Sequence, residues 1–137
     1  MDATITTGDG YAVGTLDALG DGPGFRKVRS ALGVTAFGVN AIVLPPGYTP
    51  HRHFHDEQQE LYFVHRGRVE MTFGADGGGV HVLEAGALAR VDPATIRGFR
   101  ALGDEEAVIL VVGGKEGYVG RDGHMVGDVS SEPRSPA

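Results

Sequence analysis

One stretch, PGYTPHRHFHDEQQELYFVHRG, decides the fold of this chain and spans residues 46–67. It opens on a turn, continues with alternating residues and closes on a glycine. His51, His53 and His55 alternate, so on a β-strand all three side chains lie on the same face. A carboxylate, Glu60, follows after four residues. The stretch therefore predicts two short strands that carry a cluster of histidines and a carboxylate.

We expect the chain to reverse through residues 56–59, because these polar positions suit a loop. In such a hairpin His55 would lie opposite Glu60 and His53 opposite Tyr62, with facing Cβ atoms about 4.5–5.5 Å apart. Two imidazoles and one carboxylate hold a divalent metal and leave coordination positions open. The alternative is a solvated loop in which these groups cluster without a ligand. Three alternating histidines followed by a carboxylate favour the metal or polar-ligand site.

The rest of the chain is built from apolar runs of strand length, each bounded by Gly, Pro or Asp. These runs are residues 34–44, 51–55, 60–65, 68–73, 80–83, 87–91, 97–102 and 107–112. The 23 glycines are spread along the 137 residues, which indicates frequent turns. The best helix candidate, residues 16–19, is a single turn at most. The sequence therefore predicts one all-β domain.

Composition argues against several classes of function. The net charge is −6, and no basic cluster exceeds the short one within residues 25–29, so we expect no nucleic-acid partner. Cysteine is absent, so no disulfide framework is available. No apolar stretch approaches the roughly 20 residues that cross a bilayer, so we expect no membrane partner. Residues 1–10 lack a signal pattern. We expect a cytoplasmic protein of bacterial type.

Several of the predicted strands are apolar on both faces. Leu61 and Phe63 alternate with Tyr62 and Val64, and residues 108–112 form an unbroken apolar run. One face would fill the interior of a barrel or sandwich, and the other needs a second layer or a partner chain. We therefore expect a homodimer.

The deciding stretch also resembles the first motif of the cupin superfamily, specifically of its small single-domain bacterial members. That motif reads Gly, five residues, His, one residue, His, four residues, Glu, six residues, Gly. Every position is present, as Gly47, His53, His55, Glu60 and Gly67. Carried over to these positions, the resemblance implies that the two histidines and the glutamate are metal ligands.

The resemblance covers roughly residues 25–112 and implies a fold class: all-β, a cupin-type double-stranded β-helix or jelly-roll barrel, with the site inside the barrel mouth. We expect the barrel to occupy residues 25–113. Residues 1–24 would form an N-terminal arm or strand. Residues 114–137 would form a C-terminal arm that is partly disordered, because this part of the chain is rich in glycine and ends in a polar segment with two prolines.

The second cupin motif is largely missing. It reads Gly, five residues, Pro, one residue, Gly, two residues, His, three residues, Asn, and only Gly86 matches. Asp92, Ala94, Arg97 and Ala101 occupy the other positions. The fourth metal ligand that the family implies is therefore absent, since a guanidinium cannot coordinate a cation and would repel it.

Three further residues are candidates for binding. Arg97 shares a face with Phe99 that suits an interior, where it would pair with Glu60, replace the charge of the metal, or clamp a carboxylate or phosphate of the ligand. The alternative is a solvated arginine at the rim. His51 is a candidate additional metal ligand, or lies in solvent at the rim. Tyr62 is a candidate for hydrogen bonding to the substrate, or a core tyrosine with its hydroxyl at the edge.

Two functions follow, both with a small molecule as partner. The first is a metal-dependent small-molecule enzyme of the dioxygenase, isomerase or cyclase type, whose divalent ion, weakly held, would be Fe, Mn, Ni, Cu or Zn. The second is a non-catalytic binding cupin without a functional metal, in which Arg97 anchors an anionic ligand. The intact first motif favours the enzyme, and the altered second motif favours the binder.

Overall fold

The computed structural model describes residues 5–126, together with the backbone of residues 133–134. A 3-10 helix at Leu16–Leu19 and a helix α1 at Val28–Leu32 are its two helices within these residues. The strands are β1 (Thr6–Gly8), β2 (Tyr11–Val13), β3 (Gly24–Arg26), β4 (Gly38–Leu44), β5 (His53–His55), β6 (Gln59–Arg66), β7 (Arg68–Phe73), β8 (Gly79–Glu84), β9 (Leu88–Val91), β10 (Arg97–Leu102), β11 (Ala107–Gly114), β12 (Gly123–Met125) and β13 (Pro133–Arg134).

Two large antiparallel sheets enclose the core. One has five strands in the order β3-β4-β11-β6-β9, and the other has six in the order β13-β12-β5-β10-β7-β8. From β4 to β7 and again from β8 to β12, each strand lies in the other sheet from the strand before it, as in a double-stranded β-helix. The predicted all-β jelly-roll barrel is confirmed, and the single turn predicted at residues 16–19 is the 3-10 helix.

The core follows from the alternation of side chains along the strands. On β6, Tyr62 and Val64 are buried, while Leu61 between β9 and β11 is exposed on the outer face. The other sheet contributes its own inward-facing residues from β7 and β10. The buried core consists of Ile42, Leu44, Tyr62, Val64, Val69, Met71, Val91, Phe99, Ala101, Ala107, Ile109 and Val111.

Strand β4 is buried along its whole length, so it needs cover on both faces. The short helix α1 packs against it and provides part of the outer cover. The sequence pattern did not predict this helix. Five residues are too few to show a helical period, and tertiary packing supplies most of the stability of such a short helix.

The turn between β6 and β7 needs its glycine for two reasons. Gly67 has a φ of +77°, a backbone conformation that residues with a Cβ atom rarely adopt. A Cβ at this position would also lie 2.8 Å from the carbonyl oxygen of Glu106, closer than real Cβ contacts. The last glycine of the motif therefore fixes how the chain passes from one sheet to the other.

Strands β1, β2 and β12 lie outside residues 25–113, the predicted bounds of the barrel. Strands β1 and β2 form a separate two-stranded sheet. Strand β12 pairs with β5, with Gly123 opposite His55 and Met125 opposite His53. The disorder predicted for the C-terminal arm falls on residues beyond Val126, most of which lie outside the described residues.

Neither described helix is long and apolar enough to cross a membrane.

Candidate metal site

Strands β5 and β6 do not form the predicted hairpin. β5 pairs with β10 and β12 in the six-stranded sheet, whereas β6 pairs with β11 and β9 in the five-stranded sheet. The prediction that His55 lies opposite Glu60 on a neighbouring strand was therefore wrong. Residues 56–58 cross from one sheet to the other, and the histidines meet the glutamate across the interior.

The three predicted ligands nevertheless converge. One ligand atom from each of His53, His55 and Glu60 lies within 4.8 Å of the other two. The Nε2 atom of His55 is 3.3 Å from Oε1 of Glu60, and Nε2 of His53 is 4.0 Å from the same oxygen. The side chains of His55 and Glu60 are fully buried, and that of His53 is 16% exposed. This group can hold a metal ion.

Asp122 fixes the orientation of His55. Its Oδ1 atom lies 2.9 Å from Nδ1 of His55, and its Oδ2 atom accepts hydrogen bonds from the backbone N–H groups of Glu57 and Gln58 at 2.9 and 3.0 Å. The side chain of Gln58 donates to Oδ1 at 2.6 Å. An ionised Asp122 therefore accepts the proton on Nδ1, which leaves the lone pair of Nε2 directed at the site. A carboxylate in this position orients a metal-binding histidine and raises its basicity.

The pKa of Asp122 agrees with this arrangement. Burial alone would raise it, but the hydrogen bonds from Gln58, Glu57 and His55 outweigh burial and lower the pKa to about 2. The carboxylate is therefore ionised throughout the ordinary pH range.

Two buried ligand atoms are free to coordinate a cation. Within the described part of the chain, Nε2 of His55 and Oε2 of Glu60 are buried and make no hydrogen bond. A buried polar atom without a hydrogen-bond partner costs about 1–3 kcal/mol, so such atoms are rare in folded proteins. A divalent ion would satisfy both, and the donor set therefore fits a metal.

The other oxygen of Glu60 is already engaged. The hydroxyl of Tyr62 donates to Oε1 at 2.5 Å. Burial raises the pKa of Tyr62 well above its ordinary value, and the charge of Glu60 raises it further, so the hydroxyl keeps its proton. Burial would also raise the pKa of Glu60, but His55, Tyr62 and Arg97 together lower it. Glu60 is therefore an ionised ligand held by a neutral donor.

Arg97 lies inside the barrel and is fully buried. Its position on β10 is opposite His53. One Nη atom donates to the carbonyl of Pro93 at 3.2 Å, and Nη2 donates to the carbonyl of Asp92 at 3.3 Å and lies 3.7 Å from Oε1 of Glu60. Of the placements predicted for Arg97, the ion pair with Glu60 is the one that the structure contains. Its role in binding a substrate stays a prediction.

A cavity of about 270 Å³ adjoins the site. His53 and Tyr62 line it, so it reaches the metal-binding group from the side of His53. His51 also lines this cavity but is exposed and does not belong to the group of three. Its role as an additional ligand stays a prediction.

A glycine on β11 makes room for the network around the site. Gly113 lies opposite Glu60 in the sheet. A Cβ atom there would collide with the side-chain oxygen of Gln58 and would lie 3.2 Å from Cγ of Glu60. A larger residue at this position would force the side chain of Gln58 to move away from its hydrogen bond with Asp122.

Asp122, Gln58 and Gly113 could not be identified as site residues from the sequence. Gln58 lies inside the deciding stretch, but nothing in its neighbours distinguishes it from a loop residue. Asp122 lies 67 positions after His55, in a glycine-rich segment without an apolar pattern. A pairing across such a distance carries no local signal.

Comparisons with known proteins agree with the fold and the motif. The Cupin_2 family, described as a cupin domain, matches residues 40–113, which is more than half of the chain. A search of the curated proteins gave no match.

Solved structures are also similar. A cupin protein from Bacteroides fragilis is 27% identical with a TM-score of 0.60, over 69% of this chain and 77% of that one. An uncharacterized conserved protein with a double-stranded β-helix domain from Klebsiella pneumoniae is 25% identical with a TM-score of 0.58, over 68% and 76%. A sugar phosphate isomerase of the cupin superfamily from Silicibacter pomeroyi is 25% identical with a TM-score of 0.63, over 88% and 68%. On the family match, together with the complete first motif, this chain belongs to the cupins.

Proposed function

We propose that the chain is a metal-dependent small-molecule enzyme of the dioxygenase, isomerase or cyclase type, in which His53, His55 and Glu60 hold one divalent ion. The observation that carries this proposal is the convergence of their ligand atoms within 4.8 Å beside a cavity that reaches His53. A ligand set of nitrogen and oxygen atoms suits Fe, Mn, Ni, Cu or Zn. The similarity to a sugar phosphate isomerase supports an enzyme of this general kind.

When bound, such an ion would act as a Lewis acid and keep coordination positions for a substrate. The chain's own residues prepare that site. Asp122 holds the lone pair of His55 towards the group, and the hydroxyl of Tyr62 holds one oxygen of Glu60 so that the other stays available. The full burial of His55 and Glu60 keeps bulk water away from the ligands.

Arg97 sets the electrostatics of the site. Its charge already balances that of Glu60, so the one ionised ligand attracts a divalent ion less than it would without the arginine. We therefore expect weaker metal binding than a site with a fourth histidine in place of Arg97 would give.

Metal titration tests the proposal directly. Chain treated with EDTA and dialysed is titrated with Mn²⁺ and Zn²⁺ by calorimetry, alongside His55→Ala and Glu60→Gln. We expect one ion per chain and at least a hundredfold loss of affinity in both variants, because His55→Ala removes a buried ligand nitrogen and Glu60→Gln removes the negative charge of a buried ligand. The control is His65→Ala, which removes an exposed histidine from β6 and should bind like wild type.

Circular dichroism of each variant establishes that it has folded. Unchanged affinity in folded His55→Ala and Glu60→Gln would contradict the proposed site. A wild type that binds neither ion would favour the non-catalytic binding cupin instead.

We also propose that the enzyme is a homodimer. Leu61 and Leu88 are 43% and 62% exposed on the outer face of the five-stranded sheet, on adjacent strands. Phe63 lies between them, opposite Leu88. An apolar strip of this kind is typical of a face that packs against a second copy.

Cytoplasmic location stays a prediction from the sequence.

A further inference from the structure

One tyrosine joins the proposed metal site to the wall of the neighbouring cavity. The hydroxyl of Tyr62 donates to Glu60, and the residue lines the cavity together with His53. The centre of its ring lies 6.0 Å from the centre of the Phe99 ring, which also lines the cavity. The metal-binding group and the wall are therefore separated by one tyrosine side chain.

The deep wall of the cavity is apolar. Ile42 and Val111 from the five-stranded sheet and Phe99 from the six-stranded sheet line it, and all three are buried. Among the described residues that line the cavity, there is no charged Lys, Arg, Asp or Glu and no Asn, Gln, Ser or Thr. The polar side chains are those of two tyrosines and two histidines, of which Tyr48 and His51 are exposed. The deep wall therefore offers few hydrogen-bond partners to a ligand.

The two ends of the cavity favour different chemical groups. A divalent ion held by His53, His55 and Glu60 would bind oxygen or nitrogen donors, and that ion is itself the cationic partner of an anionic donor. The deep wall favours apolar groups, because a hydroxyl buried without a hydrogen-bond partner is costly whereas burial of apolar surface is favourable. A ligand that satisfies both ends therefore has two unlike parts.

The volume of the cavity limits the apolar part. An apolar cavity of roughly 150 Å³ is sufficient for benzene. The cavity here has about 270 Å³ and also holds the end of the ligand that reaches His53. One ring, or a branched alkyl group of similar size, fits the space that is left.

We infer that the ligand of this cavity has two unlike parts. Its head presents one or two oxygen atoms to the ion beside His53, and a compact apolar group attached to the head lies against Phe99 and Val111. The inference rests on the proposed function, since it names the substrate class of the same site. It leaves the charge of the head open, because the ion accepts both anionic and neutral oxygens. It distinguishes this chain from an enzyme of sugar phosphates, whose substrates carry hydroxyl groups along their length, although a similar structure carries that description.

Three 2-hydroxy acids test the apolar part, with the same head and the same charge throughout. Glycerate carries a hydroxymethyl group, 2-hydroxybutyrate carries an ethyl group of nearly the same size, and mandelate carries a phenyl ring. Each is titrated by calorimetry into the Zn²⁺-loaded chain, and the zinc content afterwards shows that the acid has not removed the ion. We expect 2-hydroxybutyrate to bind at least fivefold and mandelate at least twentyfold more tightly than glycerate, because one methylene in an apolar pocket is worth roughly tenfold or more.

The metal tests the head. Chain treated with EDTA lacks the ion that the head binds, so we expect each acid to bind at least tenfold more weakly while the order of the three is kept. With Mn²⁺ in place of Zn²⁺, the paramagnetic ion should relax the α-proton of mandelate faster than the para proton of its ring. Equal binding with and without the ion would overturn the two-part ligand.

A matched pair of variants locates the apolar part. Val111→Leu adds one methylene to the deep wall and should weaken mandelate binding at least fivefold, while glycerate binding changes less than twofold. Val112→Leu is the same change at the next position of β11, on the opposite face, and should leave all three affinities unchanged. If Val111→Leu does not fold, Phe25→Ala removes a partly exposed piece of the wall opposite Ile42 and should weaken mandelate binding at least threefold.

The possible failures are distinguishable. Binding of glycerate as tight as that of mandelate, with Zn²⁺ bound normally, would overturn the inference and leave the proposed function intact. Equal mandelate binding in wild type and folded Val111→Leu would also overturn it. A chain that takes up neither Zn²⁺ nor Mn²⁺ would contradict the proposed function, and the two-part ligand with it.

Discussion

Arg97 is the residue that most sets this site apart from the cupin motif. It occupies the motif position of the missing histidine, is fully buried and lies 3.7 Å from the oxygen of Glu60. The guanidinium keeps its proton under all ordinary conditions, so the site carries a permanent positive charge. A guanidinium within roughly 5 Å of a divalent ion costs on the order of several kcal/mol at an effective dielectric constant near 20.

Replacing Arg97 with histidine should therefore tighten metal binding. Arg97→His removes the repulsive charge and adds a neutral imidazole at the position where the family has its fourth ligand. We expect at least a tenfold gain in affinity for Zn²⁺, measured by calorimetric titration.

The control for this change is Arg100→His on the same strand. Arg100 is exposed on the outer face and pairs with Glu70 at 3.0 Å, so its replacement should leave metal affinity unchanged. Equal affinity in wild type and Arg97→His would mean that the arginine lies outside the electrostatic reach of the ion.

At the scale of elements, the site depends on a connection between β5, β6 and the segment before β12. The carboxylate of Asp122 accepts hydrogen bonds from the backbone of residues 57 and 58, where the chain crosses between sheets, and from the side chain of His55. One side chain therefore holds both the crossing and the ligand. Because all of its partners are donors, an amide in its place would set a donor against a donor.

Asp122→Asn should weaken both metal binding and the fold. Loss of a carboxylate that orients a metal-binding histidine typically costs tenfold to hundredfold in metal affinity. We expect a loss in this range, together with a decrease of about 1–3 kcal/mol in the free energy of unfolding from the hydrogen bonds that the amide cannot accept. Zn²⁺ titration and urea unfolding measure the two effects.

Asp56→Asn provides the comparison. Asp56 is exposed, and its carboxylate contacts His124 at 2.8 Å at the surface. Both quantities should stay close to wild type in this variant. If Asp122→Asn has the same metal affinity and the same free energy of unfolding as Asp56→Asn, Asp122 has no part in orienting His55.

Much of the element level could be predicted from sequence, but the pairing of the strands could not. The alternation of His53 and His55, with Glu60 at motif spacing, identified the three residues that the structure brings within 4.8 Å. The same alternation could not say which strand lies beside which. Side-chain period fixes the face of a strand but not its partner, and for that reason the predicted β5–β6 hairpin was wrong whereas its residues still converge.

At the scale of the whole molecule, the outer face of the five-stranded sheet carries a strip of exposed and half-buried apolar side chains. It includes Leu61, Phe63 and Leu88, together with Val112 on the neighbouring strand. Helix α1 packs against β4, which lies near the opposite edge of this sheet from β6 and β9. The strip around β6 and β9 is therefore the face that we expect a second copy to cover.

Light scattering after gel filtration tests the dimer. We expect about twice the 14.3 kDa mass of the chain at micromolar concentration. Leu88→Glu places a charge in the apolar strip and should shift the protein to monomer. Val80→Glu makes the same kind of change on an exposed strand of the other sheet and should remain dimeric. A wild-type mass near 14.3 kDa would contradict the dimer.

Anomalous diffraction from a crystal grown with Zn²⁺ would show whether His53, His55 and Glu60 form a metal site. Data collected on both sides of the zinc absorption edge locate the ion independently of the protein density. We expect one strong peak per chain at about 2.0–2.2 Å from Nε2 of each histidine and from the carboxylate of Glu60. A peak bound only by surface histidines, or no peak within the barrel at millimolar Zn²⁺, would contradict it.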